Sequence, residues 1–200
     1  VSSLIASSHL VSLHQYALTI FLSLIAFKNS FHSLTSTVLS FNNLLAFLNK
    51  GDHVVVQQTI YGGAYNFIVE EFPKYGIEFD FTVGFSKEDF SSKIKANTKV
   101  IYVETPSNPL MKITDLEMIA KLAKEKKIVS LIDNTFASPY LQNPLDLGAD
   151  IVMHSVTKYL GGHSDVVMGA LIVNDDELAS RLVFLQNACG ATPGPQDCFL

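Results

Sequence analysis

The chain has 200 residues, a net charge of -5 and no cluster of basic residues. That is enough chain for one domain with a real core, or for part of a larger one, and it argues against nucleic acid as a partner. Its two cysteines, Cys189 and Cys198, lie near the C-terminus without histidines at ligand spacing, so neither a disulfide framework nor a metal site is expected, and a reducing, cytoplasmic setting fits best.

Residues 1–48 are rich in Ser, Leu, Phe and His, contain no Gly or Pro, and carry a single charge at Lys28. Their most apolar part, Val11 to Phe27, is interrupted by His14, Gln15 and Thr19 and is marginal in length for a membrane span. No membrane partner is therefore expected. The favoured readings are a buried helix, or a stretch foreign to the rest of the chain. With no basic region at its start, the segment is not read as a signal peptide either.

From Gly51 onward apolar, β-branched runs alternate with helix candidates. Strands are predicted at His53–Val56, Ile77–Val83, Val100–Val103, Ile128–Ile132, Ile151–Met153 and Ala170–Val173. Between them the pattern predicts helices at Tyr65–Lys74, Lys87–Ile94, Asp115–Lys126 and Glu177–Gln186, the third opened by a capping box of Thr114 and Glu117. Such alternation implies an α/β fold, a mostly parallel sheet covered by helices on both faces.

Ligands of open α/β sheets bind outside the carboxyl ends of the strands. Three successive strands deliver Glu104-Thr105-Pro106-Ser107-Asn108-Pro109, Asp133-Asn134-Thr135 and Ser155-Val156-Thr157-Lys158 to that edge. Asn108, Asp133 and Lys158 are thus expected along one rim. A lysine desolvated there loses its proton more readily and can condense with an aldehyde as a Schiff base, with Ser155 and Thr157 as phosphate ligands. A carboxylate, a lysine and hydroxyls together suit a cofactor with an aldehyde, a pyridinium nitrogen and a phosphate. Each has a plainer reading: a solvated surface lysine, an Asp-Asn turn, a proline-bracketed loop. Tyr61, before Gly62 and Gly63, is either a turn aromatic or a ring that stacks on a planar group. His154 and His163 receive no role.

The ordered set Gly51-Asp52-His53-Val54-Val55, Tyr61-Gly62-Gly63, Glu104 to Pro109, Asp133 to Pro139 and Ser155 to Lys158, running into Gly162-His163-Ser164-Asp165, resembles the pyridoxal-phosphate enzymes of Cys/Met metabolism. These include cystathionine γ-synthase, the cystathionine lyases and the O-acylhomoserine sulfhydrylases. The resemblance implies that residues 49–200 form the large domain of a fold-type I transferase, truncated before a C-terminal domain, and that residues 1–48 are an atypical addition. It implies pyridoxal 5'-phosphate held by Lys158 as a Schiff base, with Lys158 then moving protons. Tyr61 would stack on the ring and assist proton transfer, Asp133 would keep the ring nitrogen protonated, and Asn108 would contact the phenolic oxygen. Ser155 and Thr157 would bind phosphate, and Glu104 matches the motif without an assigned role.

The implied reaction is elimination or replacement at Cβ or Cγ of cystathionine, homocysteine or O-acylhomoserine, in a homodimer or homotetramer. Departures qualify it. Ser36-Thr37-Val38 stands where the family's phosphate loop reads Ser-Gly-Met or Ser-Gly-Leu, so Ser36 and Thr37 are the counterpart phosphate ligands with a poorer turn. Gly63 stands where methionine γ-lyases have Cys, which disfavours that activity. Arg181 is the sole arginine, whereas the family uses arginines at both anion sites, so weak cofactor binding and low turnover are expected. The alternatives are an inactive homologue serving as a structural or interaction protein, and a membrane-tethered form using Val11 to Phe27.

Overall fold

The computed structural model describes residues 18–23, 47–189 and 193–200; Ser36 and Thr37 lie outside them. Seven strands form one sheet in the order β1-β7-β6-β5-β4-β2-β3. In chain order the elements are β1 (Leu18–Ser23), β2 (His53–Val56), α1 (Gly62–Glu71), a 3-10 turn at Phe72–Tyr75, β3 (Glu78–Phe81), α2 (Lys87–Ser91), β4 (Thr98–Glu104) and α3 (Leu116–Lys126). They continue with β5 (Val129–Asp133), α4 (Ser138–Leu141), β6 (Ile151–Ser155), β7 (Met168–Val173), α5 (Asp176–Cys189) and α6 (Pro195–Phe199). Strands β3, β2, β4, β5 and β6 pair in parallel, and β7 runs antiparallel to both neighbours.

Strand alternation divides the core in two. Val54, Val56, Val100, Tyr102, Leu131, Ile151 and Met153 face one layer with Ala64 and Ile68 of α1 and Leu182 of α5. Their neighbours Val55, Ile101, Val103 and Ile132 face the other layer, with Phe90 of α2 and Ile119, Leu122 and Ala123 of α3. A parallel sheet buried on both faces needs such continuous apolar runs.

The expected strands and helices are present with shifted ends. Helix α1 begins at Gly62, three residues before the expected start. Helix α2 stops at Ser91, and the helix expected from Glu177 to Gln186 runs from Asp176 to Cys189. The capping box at Thr114 is corrected. Asp115 is the N-cap of α3, its carboxylate accepting from the Met118 amide at 3.0 Å, because the Thr114 hydroxyl turns inward and donates to Gln57 Oε1 at 2.7 Å.

Within the first 48 residues the helix alternative is corrected at Leu18–Ser23. Leu18–Ser23, inside the stretch read as a helix or a foreign segment, is the edge strand β1 and pairs with β7 from Leu18↔Val173 to Ser23↔Met168. Leu-Thr-Ile-Phe-Leu suits a strand in propensity, and the exposed edge of β7 decides the matter by offering its backbone groups a ladder. Among the described residues no helix is long and apolar enough to cross a membrane.

Candidate active site

Pleating determines which edge residues share a face. Glu104, Asp133 and Ser155 each lie two residues beyond Tyr102, Leu131 and Met153, so all three point to the layer of α1 and α5. Glu104 and Asp133 are direct partners across β4 and β5. Both carboxyls are buried, with 5% and 8% of their surfaces exposed.

Two buried carboxyls side by side are costly unless donors reach them or protons stay on. Asp133 Oδ1 accepts from the Thr135 amide at 2.9 Å and the Thr135 hydroxyl at 2.5 Å. Burial still holds Asp133 above the ordinary carboxylate range, with the Thr135 groups and the Tyr102 hydroxyl pulling the other way. Glu104 Oε2 accepts from the Tyr61 amide at 2.8 Å, and Oε1 from the Asn108 amide at 2.5 Å. Burial, and then the charge of Asp133, push Glu104 up to about 8.

A hydrogen-bonded belt runs behind these groups. Gln57 donates to the carbonyls of Thr59 and Glu104 at 2.8 and 2.7 Å. Thr114 donates its amide to Thr105 Oγ1 at 3.0 Å, and Gln142 donates to the Thr105 carbonyl at 3.2 Å and to Asn134 Oδ1 at 2.8 Å. The Asn134 amide closes the belt on the Met153 carbonyl at 2.9 Å. Four stretches far apart in sequence, 57–59, 104–114, 134–142 and Met153, are thereby locked at one edge, the rigid support a precise site requires. None of these links has a periodic signature in the sequence, although the polar residues Gln57, Asn134 and Thr135 follow directly on strand ends, where such roles concentrate.

Thr135 is the hinge of the arrangement. Its hydroxyl donates to Asp133 and accepts from the Ser155 amide at 2.9 Å, tying β5 to β6. Thr135→Val is expected to cost about 1–3 kcal/mol, the usual consequence of stranding buried polar groups, whereas Thr135→Ser keeps the link. Urea unfolding of the two variants checks this.

Beyond Ser155 the chain turns through Val156 to Gly162. The Lys158 amide donates to the Ser155 carbonyl at 3.1 Å, the Gly161 amide to the Val156 carbonyl at 2.7 Å, and the Gly162 amide to the Lys158 carbonyl at 2.8 Å. A Cβ on Gly161 would stand 2.9 Å from that Val156 oxygen, and Gly162 has φ +80°, so the turn requires glycine at both positions. Lys158 is exposed on it. The desolvated lysine anticipated from the sequence is therefore not found, because the turn projects past the strand end.

The remaining expected residues divide. Ser155 Oγ is buried and has no hydrogen-bond partner among the described residues, a donor lacking an acceptor. The Thr157 hydroxyl already donates to the Met168 carbonyl at 3.2 Å and accepts from the Met168 amide at 2.9 Å, bracing the turn against β7. Tyr61 is half-buried at the N-cap of α1, and Asn108 half-buried in the loop after β4. The open space around Gly62 shows no close approach requiring glycine there. Arg181 lies on α5, its guanidinium 5.7 Å from the centre of the Phe184 ring. His154 sits on the opposite face of β6, 3.4 Å from Asn134 Nδ2, where burial pushes it down to about 4. Among the described residues no group of His, Cys, Asp and Glu could hold a metal ion.

Residues 30–200 match the model of a family described as Cys/Met metabolism PLP-dependent enzymes. The chain is 46% identical over 175 residues to the cystathionine gamma-lyase of Bacillus subtilis, covering 88% of this chain and 44% of that protein. It is 50% identical over 153 residues to the cystathionine beta-lyase MetC of the same organism, covering 76% and 39%. The crystal structure of metB from Corynebacterium glutamicum superposes with a TM-score of 0.81 at 40% identity, over 90% of this chain and 44% of that one. The chain spans about half the length of the curated relatives it matches.

Proposed function

Since the chain belongs to the family of Cys/Met metabolism PLP-dependent enzymes, we propose that it is the large-domain part of a pyridoxal-phosphate lyase or transferase acting on sulfur amino acids of the cystathionine type. The observation that carries this reading is the edge itself: one sheet face bears the buried carboxyl of Asp133 and the buried hydroxyl of Ser155, unpartnered among the described residues, and the Lys158 turn follows directly. A carboxyl, a hydroxyl donor and an amine are the groups such a cofactor needs at its ring nitrogen, its phosphate and its aldehyde.

When bound, pyridoxal phosphate supplies an electron sink for breaking carbon–sulfur bonds near the α-carbon of an amino acid. Asp133, once ionised, would hold a proton on the ring nitrogen, and a cation there would draw its raised pKa back down. Ser155 Oγ would donate to the phosphate, with Thr157 bracing the turn beside it and Ser36 and Thr37 as the further phosphate ligands. Tyr61 would lie against the ring and assist proton transfer, and Asn108 would contact the phenolic oxygen. Lys158 would take the aldehyde, then carry a proton as a free amine. Similar identities to a gamma-lyase and a beta-lyase leave cystathionine chemistry as the shared denominator. The reading is tested by titrating the chain with pyridoxal phosphate, fixing the adduct with borohydride and mapping it. Weak uptake mapped to Lys158 is expected; a folded chain that takes up none overturns the reading.

We also place the working protein in the cytoplasm as a homodimer or homotetramer. The exposed thiol of Cys198 suits a reducing compartment. Leu110, Met111 and Ile113 after β4, and Tyr140 and Leu141 on α4, are large apolar side chains more than half exposed, on two segments that Gln142 ties together. Apolar surface of this kind beside a site suits contact with a second copy. Met111→Glu combined with Tyr140→Glu is expected to shift the chain to monomer in analytical ultracentrifugation, with its circular dichroism unchanged.

A further inference from the structure

Glu104 is the one buried charged group of the edge to which the chemistry above gives no task. Its carboxyl reaches two places at once. Oε2 accepts the amide of Tyr61, 43 residues earlier at the entry to α1, and Oε1 accepts the amide of Asn108, four residues later in the loop after β4. Helix α1 has neither a side-chain cap nor an acidic residue in its first turn, so the side-chain acceptor at its N-terminus comes from a different strand. Glu104 is itself held, since Gln57 donates to its carbonyl at 2.7 Å. The charged group facing it is Asp133 on β5; the first turn of α1 contributes no charged side chain.

We propose that Glu104 is a positioning residue, a two-pronged clamp that places the side chains of Tyr61 and Asn108 by holding both of their backbone amides. The clamp rests on the functional reading for its purpose, because Tyr61 and Asn108 are the two residues that reading sets against the cofactor ring. Its geometry stands without the cofactor. One carboxyl acting on two backbone segments makes their positions interdependent, and a carboxylate grips both amides more tightly than the protonated acid does. Gln cannot replace it fully, since one end of an amide accepts and the other donates. One of the two amides then faces a donor.

The test uses amide-resolved nuclear magnetic resonance of the full chain without cofactor, followed by titration with pyridoxal phosphate. In the native chain the Tyr61 and Asn108 amide protons are expected to move downfield together on raising the pH, with one common midpoint, while amides in β5 such as Leu131 stay still. Glu104→Gln should abolish that shared titration and speed hydrogen exchange of at least one of the two amides about tenfold or more, the factor carried by one lost hydrogen bond to a charged group. It should also weaken cofactor uptake by about tenfold while leaving capture at Lys158 intact at saturation. Separate midpoints in the native chain, or unchanged exchange at both amides in Glu104→Gln, overturn the clamp, and the native measurement serves even if the variant misfolds. Failure of the native chain to bind pyridoxal phosphate overturns the functional reading instead, and the amide data judge the clamp alone.

Discussion

Lys158→Ala is expected to abolish the borohydride-fixed pyridoxal phosphate adduct and to lower any measurable turnover by about 10³-fold or more, the scale of losing both a nucleophile and a general acid–base group. The effect should be confined to this lysine. Lys112, also exposed in the loop after β4, is the natural control, and Lys112→Ala should leave the adduct in place. The exposure of Lys158 sharpens the expectation. Its amine stands in solvent, so on the proposed reading selectivity over the other surface lysines would come from the neighbours that would grip the rest of the cofactor: Asp133 in its carboxyl pair and the Ser155 hydroxyl, unpartnered among the described residues. Labelling spread evenly over several lysines, and unaltered in Lys158→Ala, would remove the basis for assigning it the covalent role.

The second large effect is a loss of stability toward alkaline pH. Glu104, raised from an ordinary 4.5 to about 8, binds a proton in the folded state that the unfolded chain has already released. Its contribution is therefore fully present below pH 4.5 and is lost as the pH rises through about 8, on the order of 4–5 kcal/mol across the whole window. Asp133 is shifted in the same direction. His154 acts oppositely: lowered from 6.5 to about 4, it stays neutral in the fold, so stability is lost as the pH falls from 6.5 toward 4, by about 3 kcal/mol. The two slopes nearly cancel between pH 4.5 and 6.5. Above 6.5 the carboxyl pair acts unopposed, and stability should fall by about 2 kcal/mol between pH 6.5 and 8 from Glu104 alone. Urea unfolding from pH 4 to 9 tests this, and Glu104→Gln should flatten the alkaline limb even though it lowers the plateau. A profile that keeps rising to pH 8 would show that the pair is ionised in the fold.

Those two effects come from different levels of organisation. Strand β5 and the turn at Lys158 are legible in the bare sequence, since short apolar runs ending in Asp133 and Ser155 are local patterns with a known direction in a parallel sheet. The family motifs from Glu104 to Pro109 and from Ser155 to Lys158 are local too. Hydrogen-bond partnership is not local. That Glu104 holds Tyr61, that Thr157 spends its hydroxyl on Met168, and that Thr114 turns away from its helix toward Gln57 all depend on which strands adjoin and in which register.

What the order of residues determined alone was the alternation of strands and helices, and with it the rim on which Asn108, Asp133 and Lys158 are delivered, because hydrophobic period and strand direction are properties of short segments. Tertiary structure alone decided that Leu18–Ser23 is an edge strand, that Lys158 stands in solvent, that the buried Ser155 hydroxyl has no partner among the described residues, and that Glu104 and Asp133 are neighbours. The physical reason is common to all four: burial and pairing are set by whatever the packed sheet brings alongside, and a chain segment carries no record of neighbours tens of residues away.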